Sequence, residues 1–352
     1  MILKQVKLAF VGFGTVAQGC ARHLVRNASY LEQEYGFRYK VVAITDTVKG
    51  SIQNNQRGVD LPEALKLAEK GKLEGGGLKG KSGLSSIETI KTSDVDIIIE
   101  ATWTNLKDGE PGLSHIVTAL QSGKDVATSN KGPIALAYEK LTQLAKSKRR
   151  YLRFESTVMS GTPLFNMHEF GLQGAKIKSL RGILNGTTNY ILTEMAEGKS
   201  YGDVLKRAQE LGYAEVDPTG DVEAYDPTAK ITILANAFMD AEVNYTDVER
   251  EGITGISIED ITKAAQDSKR IKLIASASQD ESGHFNVSVK PALVPNTDIL
   301  AHVDGVMNAL NISMDVQPDI TIIGPGAGGD SAGYGLLSDI LAIHRLRVLR
   351  EK

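Results

Sequence analysis

The chain has 352 residues, and 40 lysines and arginines against 43 aspartates and glutamates give it a formal net charge of −3. This balance gives no reason to expect nucleic acid as a partner, because nonspecific binding to phosphates needs an excess of cations. No run approaches the ~18 consecutive apolar residues of a membrane span, and the N-terminus has no signal-peptide pattern. The single cysteine, Cys20, excludes an intrachain disulfide framework and a cysteine-based zinc cluster. We expect about two domains and a cytoplasmic protein.

The first 150 residues alternate short apolar runs with helical stretches. The runs predicted as strands are Val6–Val11, Lys40–Ile44, Asp96–Ile99 and Asp125–Ala127. The predicted helices are one that starts after Gly14, followed by Leu61–Lys70, Leu113–Gln121 and Ile134–Ala145. Strands that alternate with helices indicate βαβ units and a parallel sheet.

The first predicted strand leads into a glycine loop, Gly12-Phe13-Gly14-Thr15-Val16-Ala17. It fits the dinucleotide fingerprint G-x-G-x-x-G/A, in which the first glycine permits a tight turn and the second lets the backbone approach the pyrophosphate. The third position is small, so that helix and strand pack closely. The alternative is a tight turn without a ligand. We favour a dinucleotide site with contacts from Gly12, Gly14, Thr15 and Val16.

The second predicted strand ends near Asp46. An acidic residue there usually accepts a hydrogen bond from the adenosine ribose 2′-hydroxyl and favours NAD. Asp46 lies further from the glycines than the usual ~20 residues, so the intervening helix and loop must absorb the difference. Lys49 and Arg57 are close enough in sequence to take a 2′-phosphate, which keeps NADP possible. Alternatively, Asp46 only caps the next turn.

The pattern changes after Tyr151. Residues 151–323 mix helices with the strand candidates Phe285–Val289, Ser313–Val316 and Ile320–Ile323. Because strands and helices are less regularly interleaved here, we expect an antiparallel, α+β second domain. A glycine-rich turn at Gly324–Gly329 then precedes an apolar helical stretch, Tyr334–Leu349.

The residue types limit the chemistry that a bound nicotinamide could perform. Aldehyde oxidation through a covalent intermediate needs a nucleophilic cysteine, but Cys20 lies in the predicted cofactor helix and is best interpreted as a packed residue. Zinc-dependent alcohol oxidation needs a Cys/His ligand set, whereas the six histidines are scattered. These exclusions favour an alcohol–carbonyl interconversion in which a side chain exchanges the proton.

The densest polar stretch of the chain is Gly212–Lys230. Asp226 and Lys230 are four residues apart, so on a helix they share a face. Carboxylates there could hold the lysine or the ammonium group of a substrate. The alternative is structural: Asp217 and Asp226 each precede a proline, so each could simply cap a helix.

This stretch resembles the homoserine dehydrogenase signature, in which an alanine, a glycine with an aromatic residue, an Asp-Pro step and a spaced Asp…Asp…Lys set follow one another. Here the signature runs from Ala208 to Lys230. The other family landmarks occur in order at Gly12–Ala17, Thr128–Lys131, Glu155–Pro163, Asn185–Asn189 and Gly324–Gly328. The resemblance covers essentially the whole chain. It implies interconversion of L-aspartate 4-semialdehyde and L-homoserine with NAD or NADP, a step toward threonine, methionine and isoleucine.

The resemblance also implies a role for each matching residue. Lys230 would donate the proton, and Lys131 would be a second essential lysine near nicotinamide and substrate. The substrate-binding residues would be Glu215, Asp226, Asp221, Gly186, Thr187 and Tyr213. Thr102 and Gly328 would join the glycine loop and Asp46 as cofactor contacts. A sodium site, built largely from backbone carbonyls, would involve Glu155, Val158, Ser160 and Thr162, since oxygen ligands suit a hard cation.

The fold implied is α/β: a Rossmann-type, doubly wound domain over residues 1–155, rejoined by 324–352, and an α+β substrate and dimerisation domain over 156–323. A homodimer is expected, as is the absence of an ACT domain. The sequence departs from the family at Ala17, Met159 and Ala224, where glycine is common. Two other functions stay open: an oxidoreductase for another amino-acid carbonyl, and a nucleotide-sensing module without catalysis.

Overall fold

The computed structural model describes residues 5–350. Contacts divide the chain into two compact units. One comprises the residues up to Asn166 together with those from Gly328 onward, and the other is Met167–Ala327.

The first unit contains a seven-stranded sheet in the order β4-β3-β2-β1-β5-β6-β7. The strands are β1 (Val6–Val11), β2 (Tyr39–Asp46), β3 (Gly50–Gln53), β4 (Lys81–Ser82), β5 (Ile97–Glu100), β6 (Asp125–Thr128) and β7 (Leu152–Arg153). Five neighbouring strands of this sheet, β2, β1, β5, β6 and β7, pair in parallel, as the alternating pattern predicts. The parallel sheet is extended at one edge by β3 and β4, which pair antiparallel and were not predicted. The short connection after β2 allows only a hairpin, which Gly50 closes with φ +89°.

Helices cover both faces of this sheet. They are α1 (Thr15–Tyr35), α2 (Leu61–Glu69), α3 (Ser86–Thr92), α4 (Gly112–Gln121), α5 (Lys131–Ser147), α6 (Ser156–Met159) and, from the end of the chain, α13 (Gly329–Arg350). Helix α7 (Phe165–Gly171) contains the point of division. Helix α1 contacts α2 and α13, whereas α4 contacts α3 and α5. Because right-handed crossovers lead from the centre of the sheet in opposite directions, these two groups of helices lie on opposite faces. The doubly wound prediction is confirmed.

Helices α1 and α13 approach each other closely enough for their backbones to touch. A Cβ on Gly19 would lie 2.3 Å from the carbonyl oxygen of Gly329, and a Cβ on Gly333 would lie 2.3 Å from the amide nitrogen of Cys20. Cys20 is fully buried in this contact, and burial raises the pKa of its thiol. The thiol is therefore a packing group, as the sequence indicates.

The second unit contains a six-stranded sheet in the order β13-β12-β8-β10-β11-β9. The strands are β8 (Ile177–Ile183), β9 (Glu249–Arg250), β10 (Lys269–Gln279), β11 (Phe285–Pro295), β12 (Met307–Met314) and β13 (Ile320–Pro325). All neighbours pair antiparallel except β9 with β11, so the α+β prediction is confirmed. The predicted strand Ser313–Val316 was wrong in its second half, because β12 ends at Met314 and Val316 is exposed.

The helices of the second unit are α8 (Gly186–Ala196), α9 (Tyr201–Glu210), α10 (Thr219–Val222), α11 (Tyr225–Met239) and α12 (Ile258–Gln266), with 3₁₀ turns at Tyr245–Asp247 and Ile299–His302. Helices α8, α11 and α12 pack on the sheet. Every residue of α11 from Pro227 to Asn236 is buried, and Lys230 is among them. A buried lysine inside an apolar helix is uncommon and needs a partner. No helix among residues 5–350 is both long and apolar enough to cross a bilayer.

Candidate functional site

The predicted cofactor residues of the first unit follow the carboxyl ends of four neighbouring parallel strands. Gly12 follows β1, Asp46 ends β2, Thr102 follows β5 and Lys131 follows β6. The chain winds outward in both directions from β1, which makes the β1–β5 edge the topological switch point of the sheet. In open α/β sheets, ligands bind at this edge.

Gly12 and Gly14 of the loop are glycine for different reasons. Gly12 has φ +84°, and a Cβ there would lie 2.6 Å from the carbonyl oxygen of Ala101, so the fold itself requires it. Gly14 has φ −79° and ψ −164°, and no other protein atom lies within 4 Å of the place where its Cβ would stand. The fold therefore does not require glycine at position 14. Space is left in front of α1, whose N-cap residue has no side chain to cover the first backbone amides, and this fits a bound pyrophosphate.

The start of α13 lies beside this loop within the first unit. A Cβ on Gly329 would lie 2.3 Å from the methyl carbon of Thr15, and Gly328 is the preceding residue. Gly328 has φ +117°, a conformation that favours glycine. Val16 is half-buried behind the loop. The structure thus places Gly328 next to a residue that contacts Thr15 of the glycine loop.

Asp46 is tied to the glycine loop. Its Oδ2 accepts a hydrogen bond from the backbone amide of Phe13 at 2.8 Å, and its Oδ1 accepts from the amides of Val48 and Lys49, each at 3.0 Å. Burial by itself would raise the pKa of Asp46, but these three amides and the charge of Lys49 outweigh it and hold the pKa below its usual value. The Nζ of Lys49 is 3.7 Å from Oδ1. Asp46 therefore caps its turn and is also a fixed anion beside the loop.

Sequence reasoning missed Glu100, the last residue of β5, which is completely buried. Its Oε1 accepts hydrogen bonds from the amide and the hydroxyl of Thr102, and its Oε2 accepts from the hydroxyl of Thr128 at 2.8 Å. The Nδ1 of His115 lies 3.5 Å from Oε1. A charged residue at the end of the apolar run Asp96–Ile99 was the available signal.

The Glu100 network continues into the start of α5. The amide of Asn130 donates to the hydroxyl of Thr128 at 3.0 Å, and the side chain of Asn130 donates to the hydroxyl of Thr102 at 3.3 Å. The same side chain caps α5 by accepting from the amide of Gly132 at 3.2 Å. Lys131 is the first residue of α5, so this network fixes the backbone from which its side chain extends.

The predicted sodium-binding residues Glu155, Val158, Ser160 and Thr162 are all buried. The carboxylate of Glu155 accepts hydrogen bonds from the amides of Leu164, Phe165 and Asn166 and from the side chain of Asn166. Four donors occupy a carboxylate fully, so Glu155 could offer a cation only its backbone carbonyl. Ser160 has φ +55°, a strained conformation for a residue with a side chain. Across residues 5–350, no cluster of three or more His, Cys, Asp or Glu side chains could hold a metal ion.

The polar cluster of the second unit surrounds Lys230, which is 6% exposed. Its Nζ donates to the carbonyl oxygen of Leu184 at 2.7 Å and lies 2.9 Å from Oδ2 of Asp226. The side-chain amide of Asn185 donates to Oδ1 of Asp221 at 2.6 Å and to Oδ2 of Asp226 at 2.9 Å. The pKa of Asp221 is raised, first by burial and then by the charge of Asp226, against the opposing effects of Asn185 and Lys230. The structure therefore brings two carboxylates, one amide and one ammonium group together.

The alternative interpretation of Asp226 as a helix cap was wrong. Helix α11 begins at Tyr225, so Asp226 is its second residue, and the N-cap position is taken by Ala224. Ala224 is buried and has φ +64°, which explains why the family commonly has glycine there. Asp217 is not the N-cap either, because Pro218 takes that position for α10, although the Oδ1 of Asp217 accepts from the amide of Thr219 at 3.1 Å.

The other predicted substrate-binding residues lie around the start of α8 and the loop after α9. Gly186 opens α8, and a Cβ there would lie 2.7 Å from the carbonyl oxygen of Val306. The hydroxyl of Thr187 donates to the carbonyl oxygen of Tyr213 at 2.7 Å. Glu215 is exposed, and its carboxylate has no hydrogen-bonding or ion-pair partner in the described part of the chain. Of the three acids predicted to bind the substrate, Glu215 is therefore the one that the structure leaves outside the network around Lys230.

Two family models match the chain over most of its length. The homoserine dehydrogenase NAD binding domain matches residues 12–155, and the homoserine dehydrogenase domain matches residues 163–341. Both matched segments contain predicted site residues: the glycine loop and Lys131 in the first, Asp226 and Lys230 in the second.

Curated relatives and solved structures agree with the family models. An NAD(+)-dependent homoserine dehydrogenase of Pseudomonas canavaninivorans is 40% identical over 347 residues, which is 97% of each chain. The homoserine dehydrogenase of Methanocaldococcus jannaschii is 40% identical over 339 residues, covering 96% of this chain and 98% of the relative. A crystal structure of a Thiobacillus denitrificans homoserine dehydrogenase has a TM-score of 0.85 at 31% identity, covering 98% of this chain and 74% of that one.

A hyperthermophilic archaeal homoserine dehydrogenase in complex with NADPH has a TM-score of 0.83 at 29% identity, covering 97% of this chain and 98% of that one. With relatives at 40% identity over nearly the full length of both chains, the resemblance seen in the motifs extends to the whole sequence. The chain therefore belongs to the homoserine dehydrogenase family and is an NAD(P)-dependent oxidoreductase that interconverts L-homoserine and L-aspartate 4-semialdehyde.

Proposed function

We propose that the cluster around Lys230 is the site of this reaction and that Lys230 donates the proton to the semialdehyde oxygen in the reducing direction. The observation that carries the proposal is the placement of its Nζ, between the carbonyl of Leu184 and the carboxylate of Asp226, on a buried segment of α11. Negative charge grows on the aldehyde oxygen during reduction, and a fixed ammonium group stabilises that charge more in the transition state than in the ground state. Donation of its proton completes the alcohol.

Asp221, Asp226 and Glu215 are proposed to hold the ammonium group of the substrate. The exposed Glu215 carboxylate suits this role because no partner within residues 5–350 competes for it. Gly186 and Thr187 are proposed to bind the substrate carboxylate, with Tyr213 as a nearby contact. Their support is the N-terminus of α8, where the Asn185 cap accepts from the amide of Thr188 and leaves the amides of positions 186 and 187 for an anion.

The cofactor contacts are proposed to be Gly12, Gly14, Thr15, Val16, Asp46, Thr102, Lys131 and Gly328. When bound, the reduced dinucleotide supplies the hydride. Lys131 is proposed as the second essential lysine, near nicotinamide and substrate, because the Glu100 network fixes its backbone at the switch point of the sheet. We propose NAD as the preferred cofactor on the evidence of the fixed anion at Asp46, with Lys49 allowing some NADP binding.

We further propose that sodium binds through the backbone carbonyls of Glu155, Val158, Ser160 and Thr162. Two observations support it: all four residues are buried, and the Glu155 side chain is engaged elsewhere. Met159, where the family commonly has glycine, is fully buried in the same loop. Titration with sodium chloride against choline chloride, read as thermal stability, tests the site; equal melting curves in the two salts would contradict it.

A homodimer formed by the second unit is proposed, and with it the cytoplasmic location expected from the sequence. One face of the six-stranded sheet carries a cross-strand row of polar residues, which supports an interface: the half-buried Ser276, Asn311 and Thr321 and the exposed Arg181. Light scattering at micromolar concentration measures the assembly. A monomer mass of 37.9 kDa would contradict the proposal.

The decisive experiment is an absorbance assay at the nicotinamide band with L-homoserine and each oxidised cofactor. We expect reduction of NAD with L-homoserine, slower reduction of NADP, and no reduction with L-serine or L-threonine as control alcohols. Turnover of another amino-acid alcohol without turnover of homoserine would assign the cluster to a different substrate. Binding of the cofactor without any turnover would contradict catalysis at Lys230.

A further inference from the structure

One residue that no sequence motif singled out for catalysis lies at the centre of the polar cluster. Asn185, the residue between β8 and α8, is 4% exposed. Its two amide hydrogens point to two different carboxylates, that of Asp221 on α10 at 2.6 Å and that of Asp226 on α11 at 2.9 Å. The preceding residue, Leu184, supplies the carbonyl that accepts from Lys230. Two consecutive residues therefore contact all three ionisable groups of the cluster.

The orientation of this amide is fixed by its other end. The Oδ1 of Asn185 accepts from the backbone amide of Thr188 at 2.9 Å and from the hydroxyl of Thr188 at 3.0 Å, which makes Asn185 the N-cap of α8. A flipped amide would place Oδ1 against two carboxylates and NH₂ against an N–H donor, so only one orientation satisfies the network. Helix α8 thereby fixes the direction in which Asn185 presents its two donors.

The electrostatics explain why such a donor is needed. Two carboxylates that share one neighbour repel each other, and this repulsion favours protonation of one of them. Lys230 compensates the charge of Asp226 directly, and the Cζ of Arg250 lies 3.9 Å from the centroid of the Tyr225 ring. Asn185 is the group that donates to both acids at once. Because an amide does not titrate, its support for the ionised carboxylates does not vary with pH.

We propose that Asn185 is a positioning residue for the reaction, which holds the Asp221 and Asp226 carboxylates ionised and in place so that Asp226 keeps Lys230 aimed. The inference rests on the proposed function of Lys230. Asn185 itself touches no reacting atom in this scheme; it acts through the two carboxylates. Its capping role and its positioning role use opposite ends of the same side chain, which is what makes them separable by substitution.

The test compares Asn185→Ser and Asn185→Asp with a capping control elsewhere in the same unit. Serine and aspartate are both good N-caps, so both variants keep a cap for α8 while removing the amide donors. Ser200→Ala is the control, because the Ser200 side chain caps α9 by accepting from the amide of Asp203 at 3.2 Å, and Ser200 belongs to no part of the proposed site. The readouts are the melting temperature, NADH binding, and kcat and KM for the semialdehyde as functions of pH.

We expect Asn185→Ser to lower kcat by about 10- to 100-fold, the cost of a small displacement of a reacting group, with NADH binding unchanged. The acidic limb of the kcat/KM profile should move to higher pH, because Asp221 and Asp226 lose a donor that favours their charged forms. Asn185→Asp should move that limb further, since a third carboxylate joins the cluster, and it carries the test if the serine variant does not fold. The charged and titratable groups around the Asp221 and Asp226 carboxylates are Lys230, Arg250, Tyr225 and Tyr245.

The inference is overturned if both variants keep the wild-type kcat and pH profile and lose only thermal stability, as Ser200→Ala should. Asn185 would then be a helix cap and nothing more. If the wild type turns over homoserine and both variants keep its kcat and pH profile, this inference alone is overturned. Absence of wild-type turnover with homoserine would overturn the proposed function and the inference with it.

Discussion

The cofactor edge of the first unit and the polar cluster of the second unit consist of different chemical groups. The glycine loop offers backbone amides and space, since a side chain at Gly14 would meet no protein atom and α1 has no capping side chain. The cluster around Lys230 offers side chains that already bind one another, including a carboxylate that accepts from both Asn185 and Lys230. We therefore expect the cofactor edge to lose function when a side chain is added to the glycine loop. We expect the cluster around Lys230 to lose function when a charged or hydrogen-bonding group is removed.

The largest effect should come from removing a charge from the cluster. Lys230→Met should lower kcat by roughly 10²–10⁴-fold, the usual worth of a placed proton donor, with a smaller change in KM for the semialdehyde. Glu215→Gln should instead raise KM most, because that acid is proposed to hold only the substrate. Asp226→Asn should raise KM and also lower kcat, because Asp226 contacts Lys230 as well. Steady-state kinetics in the reducing direction measures both.

Lys272→Met is the matched control for this prediction. Lys272 is also a buried lysine of the second unit, and its Nζ donates to the carbonyl oxygen of Val303 at 2.6 Å and to Asp304 at 3.0 Å, outside the cluster. Both variants should melt at lower temperature, but only the change at Lys230 should reduce turnover. Normal turnover of Lys230→Met would move the donor assignment to Lys131.

The next effect comes from adding a side chain to the cofactor edge. Gly14→Val should weaken NADH binding by roughly 10- to 100-fold, which corresponds to losing one hydrogen bond to a charged phosphate. Stability should change little, because position 14 has ordinary backbone angles and free space. Gly12→Ala is the contrasting variant, because a Cβ at position 12 would lie 2.6 Å from a backbone oxygen. This substitution should therefore destabilise the fold as well. Fluorescence titration with NADH decides, and unchanged affinity at Gly14→Val would make the loop a plain turn.

A smaller effect is expected for cofactor choice. Removing the charge of Asp46 should shift the ratio of affinities toward NADP by about fivefold, because a carboxylate near a 2′-phosphate costs ~1 kcal/mol in a solvated site. Asp46→Asn should do this with a moderate loss of stability, since its amide oxygen can still accept from Val48 and Lys49 while its NH₂ group faces the amide of Phe13. Asp46→Ala should shift the ratio equally and also lower stability, as three amides lose their acceptor. An unmoved ratio in both variants would place Asp46 outside the ribose site.

The smallest effect concerns the strained entry to α11. Ala224→Gly should raise the free energy of unfolding by about 1 kcal/mol, because an alanine with positive φ is strained and glycine is not. Asp240→Gly is a control at the far end of the same helix, where φ is +51°. Denaturant titration measures both. A change in kcat at Ala224→Gly and not at Asp240→Gly would show that the methyl group displaces Asp226.

The two regions also differ in how far the sequence predicted them. The glycine loop and the Asp226–Lys230 pair depend on residues close in sequence, so spacing alone indicated both. Glu100 and Asn185 were not identified as functional groups, because their partners come from segments tens of residues away and no local pattern marks such contacts. Strand β10 was not predicted, since its charged beginning, Lys269–Lys272, obscures the apolar alternation. The packing of α13 on α1 was implied by the family resemblance and by no pattern.

The contact between α1 and α13 has a consequence for folding during translation. The apolar face of β1 and α1 is completed by Leu336, Leu337, Ile340 and Ile343 of α13, and the whole second unit is synthesised in between. Domains usually fold in the order in which they emerge, but here the first unit must wait for the last helix while the second can fold ahead of it. Until translation has passed α13, we therefore expect the apolar surface of the nucleotide-binding sheet to stay exposed on the nascent chain.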